Sequence, residues 1–360
     1  MNTLSFLPRL AAAFDQCSFG PRLSANWHTA VFLVSNTATL NCDTEWILEG
    51  GLERNGDTSI RQPMRIKPLH LIVGIATAGR SDVLSQTLRV LAEQTRLPDR
   101  LIICPASAND VERVAIDTFP SPVLVVSGAR GLPAQRNRIL SECPGADAIV
   151  FFDDDFFPSR DYLAEVERLL QERPDVVGVT GFLLDDGING PGIPFNDGLR
   201  ILAESKKAPF ERSFELHGAY GCNMSFRLAP VRQHGLLFDE NLPLYGWQED
   251  VDFSRQLAPY GKIVKSNKMQ GVHLGTKRGR TSGVRLGYSQ VANPIYLARK
   301  GTFANTLAAH RILRNILANI FRSLIPEPWV DRRGRLKGNL IAIGDLVSGR
   351  LSPQRILELD

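Results

Sequence analysis

The chain has 360 residues, 43% hydrophobic and 22% charged, the composition of a globular protein with one large domain and an appendage, or with two domains. Its net charge of +4 is too small to imply a nucleic-acid partner. Five scattered cysteines (Cys17, Cys42, Cys104, Cys143, Cys222) without a CxxC pair exclude a disulfide framework and a structural zinc site, and fit a reducing cytoplasm.

Met1 to Phe14 is apolar but lacks the basic start and small-residue cleavage site of a signal peptide. No window reaches the ~18 uninterrupted apolar residues of a membrane-crossing helix. Residues 1–66 read as an N-terminal extension, β-rich, with strand-like runs at Thr29–Val34 and Thr44–Leu48 and no assigned chemistry.

From Pro68 the pattern is regular. Leu69–Ala76 predicts a buried strand, and Ser81 opens a helix whose apolar positions Val83, Leu84, Leu88, Leu91 and Ala92 recur at helical spacing. Leu101–Cys104 is the next strand, Val111–Asp117 a short helix and Pro122–Val126 a third strand. Pro133–Glu142 is a helix and Ala148–Phe152 a fourth strand. Short strands alternating with helices imply right-handed βαβ units and a mostly parallel sheet. Neither GxGxxG after the first strand nor GxxxxGK[ST] occurs, so neither a dinucleotide fold nor a P-loop is supported.

The fourth strand ends in three carboxylates, Asp153, Asp154 and Asp155, and Phe156–Pro158 is expected to close the turn. Packed like charges repel, and a divalent cation on hard oxygen ligands removes the conflict. In open α/β sheets the carboxyl ends of strands are where ligands sit. The same triplet also reads as a solvated acidic turn capping the next helix.

In the second half Asp175–Phe182 is a strand, and Leu184–Asp197 reads as a Gly-, Pro-, Asn- and Asp-rich loop of the kind that forms lids. A loop Asn241–Trp247 precedes a helix opened by Gln248–Asp252 and running through Leu257. A last strand near Gln270–Leu274 carries His273. After Pro294 helical segments follow. An apolar stripe from Phe303 to Phe321 has Arg311, Arg314 and Arg322 beside it, and a basic run, Arg332–Lys337, comes after. Such a stripe packs on its own domain or lies in a membrane interface, and a one-sided basic tail suits an anionic surface.

Four features stand in a specific order. They are Thr77–Arg80 at the end of the first strand, Arg136-Asn137 at a helix start, Asp153–Asp155, and Glu249-Asp250 at a helix start with His273 on the strand beyond. Over roughly Leu69 to Tyr288 the chain resembles the inverting GT-A glycosyltransferases of family 2. The resemblance implies an α/β GT-A fold over 67–295, a mostly parallel nucleotide-binding sheet flanked by helices, between the 1–66 extension and a C-terminal helical basic region, 296–360.

It also implies roles. Donor contacts fall to Thr77, Arg80, Arg136, Asn137, Asp153 and Asp154, and Mn²⁺ or Mg²⁺ to Asp153, Asp155 and His273. Asp250 becomes the catalytic base, with Glu249 or Asp252 beside it bonding acceptor hydroxyls or acting as helix-start charges. Trp247, Glu249 and Asn223, with Met224, are expected in an acceptor or sugar pocket, and Lys277–Arg280 either folds over the diphosphate or forms a solvated loop. The implied reaction moves a hexosyl unit from a nucleoside-diphosphate sugar, a UDP-sugar by family frequency, to a carbohydrate or lipid-linked glycan. The acceptor side implies polysaccharide or glycoconjugate synthesis by a cytoplasmic protein, peripheral to the inner face of the membrane through 303–337. Two other readings remain. A nucleotidyltransferase would want a Gly-rich, Lys-bearing phosphate loop after the first strand, and Thr77–Ser81 is not one. A silent glycan- or nucleotide-binding protein on the same scaffold has no need of a base opposite a metal.

Overall fold

The computed structural model describes residues 67–360, apart from 207 and 209. The strand-like runs at Thr29–Val34 and Thr44–Leu48 lie outside the described residues. From Leu71 the alternation is as expected: β1 (Leu71–Thr77), α1 (Ser81–Leu91), β2 (Arg100–Pro105), α2 (Arg113–Asp117), β3 (Val123–Val125), α3 (Leu132–Ser141) and β4 (Ala148–Asp153). β1, β2 and β4 are apolar runs without alternation and are almost wholly buried, as strands covered on both faces must be. All three neighbouring pairs in the order β3-β2-β1-β4 are parallel. The carboxyl ends of β1 and β4 therefore open on one edge, with Ala76 opposite Asp153.

Beyond β4 the sheet is mixed. It continues through β5 (Phe156–Pro158), β6 (Val176–Asp186), β7 (Ser213–Glu215), β8 (Asn223–Arg227) and β9 (Lys262–His273). Between these strands lie α4 (Tyr162–Glu172), α5 (Phe195–Glu204), α6 (Leu228–Gln233) and α7 (Glu249–Leu257). The full order is β3-β2-β1-β4-β8-β6-β9-β5, with β7 also on β9. β8 runs antiparallel between β4 and β6, whereas β9 is parallel to β6 and takes β5 and β7 antiparallel.

Three expectations are corrected here. Phe156–Pro158 is a strand rather than a turn, because its side chains are fully buried and Phe156 stacks on Phe152 at 5.1 Å. Leu184–Asp197 is not one long loop. β6 runs on to Asp186, a 3-10 turn takes Gly187–Asn189, and α5 starts at Phe195. The Gly and Pro residues there punctuate short elements, and Phe195, Ile201 and Leu202 pack against Phe157 and Leu274. The strand expected near Gln270 begins at Lys262.

The C-terminal helices are α8 (Gly283–Lys300), α9 (Asn305–Leu324) and α10 (Arg332–Val347). Pro294 lies inside α8 rather than ahead of the helices. α8 and α10 touch backbone to backbone. A Cβ on Gly287 would lie 2.0 Å from the Arg335 carbonyl oxygen, and one on Gly338 2.0 Å from that of Val284. Buried amides hold the crossing: Asn339 donates to the Gly287 carbonyl at 2.7 Å, and Asn319 donates to Gln290 Oε1 at 2.9 Å and to Asn339 Oδ1 at 2.8 Å. Every such group buried with a partner avoids the desolvation cost of an orphan. Among the described residues no helix is long and apolar enough to cross a membrane.

Candidate active site

At the end of β4 the three carboxylates part company. Asp154 is fully buried, accepts the Thr77 hydroxyl at 2.6 Å and lies 2.6 Å from an Arg80 guanidinium nitrogen. Thr77 and Arg80 thus meet the triplet itself. Asp153 and Asp155 turn the other way, toward His273, and one ligand atom from each of the three lies within 4.8 Å of the others. β5 explains the meeting. It pairs Phe156 with His273, and the Leu274 amide donates to the Asp155 carbonyl at 2.9 Å.

Asp186, at the end of β6, went unmarked in the sequence. Its Oδ1 lies 2.8 Å from His273 Nδ1, which aims Nε2 at Asp155 Oδ1, 3.4 Å away. A carboxylate on one ring nitrogen, freeing the other, is how metal-binding histidines are oriented. Burial opposes charge on the ring, but Asp155 and Asp186 raise His273 to about 10. Burial also pushes Asp153 and Asp154 up, whereas His273, Arg80 and the Thr276 N–H outweigh it at Asp155 and hold that carboxyl well down. Two hard oxygens and an imidazole nitrogen fit Mn²⁺, and Mg²⁺ by its oxygens.

A second cluster is tied to the first through Arg136, whose side chain is only 2% exposed. The guanidinium pairs with Glu249, lies 3.1 Å from Asp153 and donates to the Gly221 carbonyl at 2.9 Å. Gly221 in turn donates its N–H to Asp250 Oδ2 at 3.0 Å. Burial lifts Glu249 to about 8 against the pull of Arg136, and Asp250 is raised by burial too. The buried Asp252 forms an ion pair with the partly exposed Lys300 at 2.8 Å and accepts the Thr302 hydroxyl at 2.6 Å. Of the three acids opening α7, Asp250 alone has only backbone donors, Gly221 and Val251, among the described residues.

The loop leading into α7 is strained. Leu244 (φ 58°) and Gln248 (φ 77°) both occupy the left-handed region, at a cost of roughly 1–3 kcal/mol each. Gly246, between them at φ 60°, takes the same conformation without the Cβ penalty. The loop turns Tyr245 and Trp247 onto a cleft of about 400 Å³ whose floor is Asp153, Asp155 and His273. Asn293 on α8 fixes it by donating to the Trp247 carbonyl at 2.8 Å.

Not every expected residue reaches this cleft. Asn137 faces away and donates to the Phe238 carbonyl and Glu240 Oε1. Asn223 is fully buried against the Thr180 hydroxyl, and Met224 is core. Arg136 and Glu249 spend their charges on each other. In the Lys277–Arg280 run, Lys277 donates to the Gly187 and Ile188 carbonyls, Arg278 pairs with Asp82, and Arg280 lines the cleft. Cleft residues missed in the sequence include Gln135, which pins the ends of β1 and β2 through the Thr77 and Cys104 carbonyls, and Arg335 of α10.

Residues 72–235 match the family model described as glycosyl transferase family 2. No curated protein sequence matches the chain. Among solved structures it is similar to a mannosyltransferase, PcManGT, from Pyrobaculum calidifontis in complex with GDP-Man and Mn²⁺. That likeness has 17% identity over 82% of this chain and 89% of that one, at a TM-score of 0.47. Similarity extends to S. aureus TarS 1–349 in complex with UDP-GlcNAc (14% identity, 81% and 84% coverage, TM-score 0.46). It also extends to GalNAc-T7 with UDP, GalNAc and Mn²⁺ (12%, 81% and 57%, TM-score 0.49). Likenesses this distant carry nothing about donor or acceptor.

Proposed function

We propose, from the match of residues 72–235 to glycosyl transferase family 2, that the chain moves a hexosyl unit from a nucleoside-diphosphate sugar, a UDP-sugar in the first instance, to a hydroxyl of a carbohydrate or lipid-linked glycan, with inversion. The observation that carries the reading is the frame built on Arg136. One buried guanidinium joins Asp153 to Glu249 and, through Gly221, to Asp250, whose carboxylate has no ion pair among the described residues.

In this reading Asp250 accepts the proton of the acceptor hydroxyl as that oxygen bonds to the anomeric carbon. The anomeric C–O bond to the diphosphate breaks and its electron pair leaves with the diphosphate. A single displacement of this kind inverts the centre. A positioned base contributes typically 10²–10⁴-fold, and more when its pKa is raised toward the working pH, as burial does here. Asp153, Asp155 and His273 would hold Mn²⁺ or Mg²⁺, which supplies Lewis-acid neutralisation of the leaving diphosphate. Arg80 and Thr77 hold Asp154 turned away, so that its charge does not crowd that site. Trp247 and Tyr245 offer aromatic faces to a sugar ring. A lipid-linked acceptor brings with it contact with the inner face of a membrane through 303–337, and a place in polysaccharide or glycoconjugate synthesis.

The test is release of nucleoside diphosphate from a panel of nucleotide sugars with Mn²⁺. Asp155→Asn, like EDTA on the wild type, is expected to abolish release together with the metal-dependent part of nucleotide binding, at unchanged thermal stability. Full activity under either condition would overturn the metal role.

A further inference from the structure

We propose that the C-terminal helix α10 completes the cleft with a phosphoryl-binding site, in which Arg335 acts with Arg280 and Arg285 and none of the carboxylates takes part. The proposed transferase reading supplies the substrate class, and the site itself stands on the arrangement of charge.

Five arginines line the cleft: Arg80, Arg130, Arg280, Arg285 and Arg335. Arg80 is spent on Asp154 and Asp155. Arg280 gives Nε to the Thr276 carbonyl at 2.7 Å, and Arg285 gives Nε to the Leu359 carbonyl at 2.6 Å, meeting Asp360 only at 3.9 Å. The guanidinium of the partly buried Arg335 has no ion pair and no hydrogen bond to any described residue. It feels Arg332 and Arg280 more strongly than the acids Glu327 and Asp331. Burial, Arg332 and Arg280 lower it to about 10 against Glu327 and Asp331, and burial with Arg280 and Arg335 lowers Lys277 to about 8 against Asp186 and Asp155.

Arg335 cannot retreat from this crowding by moving its helix, since its own carbonyl is packed onto Gly287 of α8. Guanidiniums gathered at one cavity wall, with Arg335 and Arg285 partly buried and Arg280 exposed beside them, are complementary to a compact oxyanion. The planar fork of arginine matches phosphoryl oxygens two at a time.

Two sources carry that chemistry, the diphosphate of the donor and a phosphate on the acceptor, and a calorimetric titration separates them. In EDTA, so that no metal contributes, the full chain is expected to bind inorganic pyrophosphate. Arg335→Gln should weaken that binding at least tenfold, and Arg280→Gln should weaken it as well. Arg335→Lys, keeping the charge without the fork, should lose less, and thermal unfolding should not change in any of the three.

The second arm adds inorganic phosphate to protein saturated with UDP and Mn²⁺. Phosphate binding that persists there, and is lost in Arg335→Gln, assigns the site to a phosphorylated acceptor. Competition by UDP, with UDP itself weakened in Arg335→Gln, assigns it to the donor. Equal pyrophosphate affinity in wild type and Arg335→Gln, or no binding by the wild type, would overturn the site. Neither arm reads sugar transfer, so a protein that binds pyrophosphate through Arg335 yet transfers nothing would sink the proposed function and leave this site standing.

Discussion

Asp250 is the residue on which the proposed chemistry turns, and its surroundings set a two-part test. Asp250→Asn keeps the shape and the hydrogen bond from Gly221 but accepts no proton, so kcat should fall by at least ~10² with donor affinity little changed. Because burial raises its pKa, the ionised base is lost at a higher pH than an ordinary carboxylate would allow. The acid limb of kcat/KM should therefore lie above the usual Asp range and vanish in the variant. A rise in KM alone would make Asp250 a binding residue. The sequence could mark the acids but not their partners. In the sequence only the family resemblance separates Asp250 from Glu249 and Asp252; in the structure Arg136 and Lys300, distant in sequence, claim one each of the other two. Asn137 and Asn223 were misplaced for the same reason: an amide follows whichever tertiary partner satisfies it.

Elements were legible where hydrophobic period and buried length agreed. β1, β2, β4, α1 and α3 lie within about two residues of their expected bounds. β5 was read as a turn because three residues carry no period, and only its pairing with β9 makes it a strand. α10 was read as a basic tail because its charges hid a glycine face. That face gives the element-scale prediction. In Gly287→Ala the new Cβ would meet the Arg335 carbonyl oxygen, so α8 and α10 must separate, and overpacking of this sort costs about 1–3 kcal/mol. Melting temperature should fall, and pyrophosphate binding with it, although every arginine is still present. Gly344→Ala, on the outer side of α10 with nothing within 4 Å of its Cβ, should change neither. Equal losses in the two variants would show that the crossing does not position Arg335.

At the scale of the whole molecule the structure redistributes the basic run and so changes what membrane contact would require. The sequence offered Arg332, Arg333, Arg335 and Lys337 as one cationic face, worth up to ~4 kcal/mol at roughly 1 kcal/mol each. Arg332 is bound to Glu327 at 2.8 Å and Arg335 lines the cleft, which leaves Arg333 and Lys337 facing outward. Beside them α9 and α10 expose Leu313, Leu317, Phe321, Leu324, Leu340 and Val347, apolar side chains that the other described residues leave uncovered. If the proposed peripheral contact is made, the apolar surface carries it. Arg333→Gln with Lys337→Gln should then weaken co-sedimentation with anionic liposomes by no more than ~2 kcal/mol, an effect that fades as salt shortens the Debye length below about 8 Å. Phe321→Ser with Leu324→Ser should weaken it at every salt concentration, and turnover of a short water-soluble acceptor should survive both changes. Wild-type protein that stays in the supernatant at low salt would remove the membrane from the proposed function while leaving the cleft chemistry untouched.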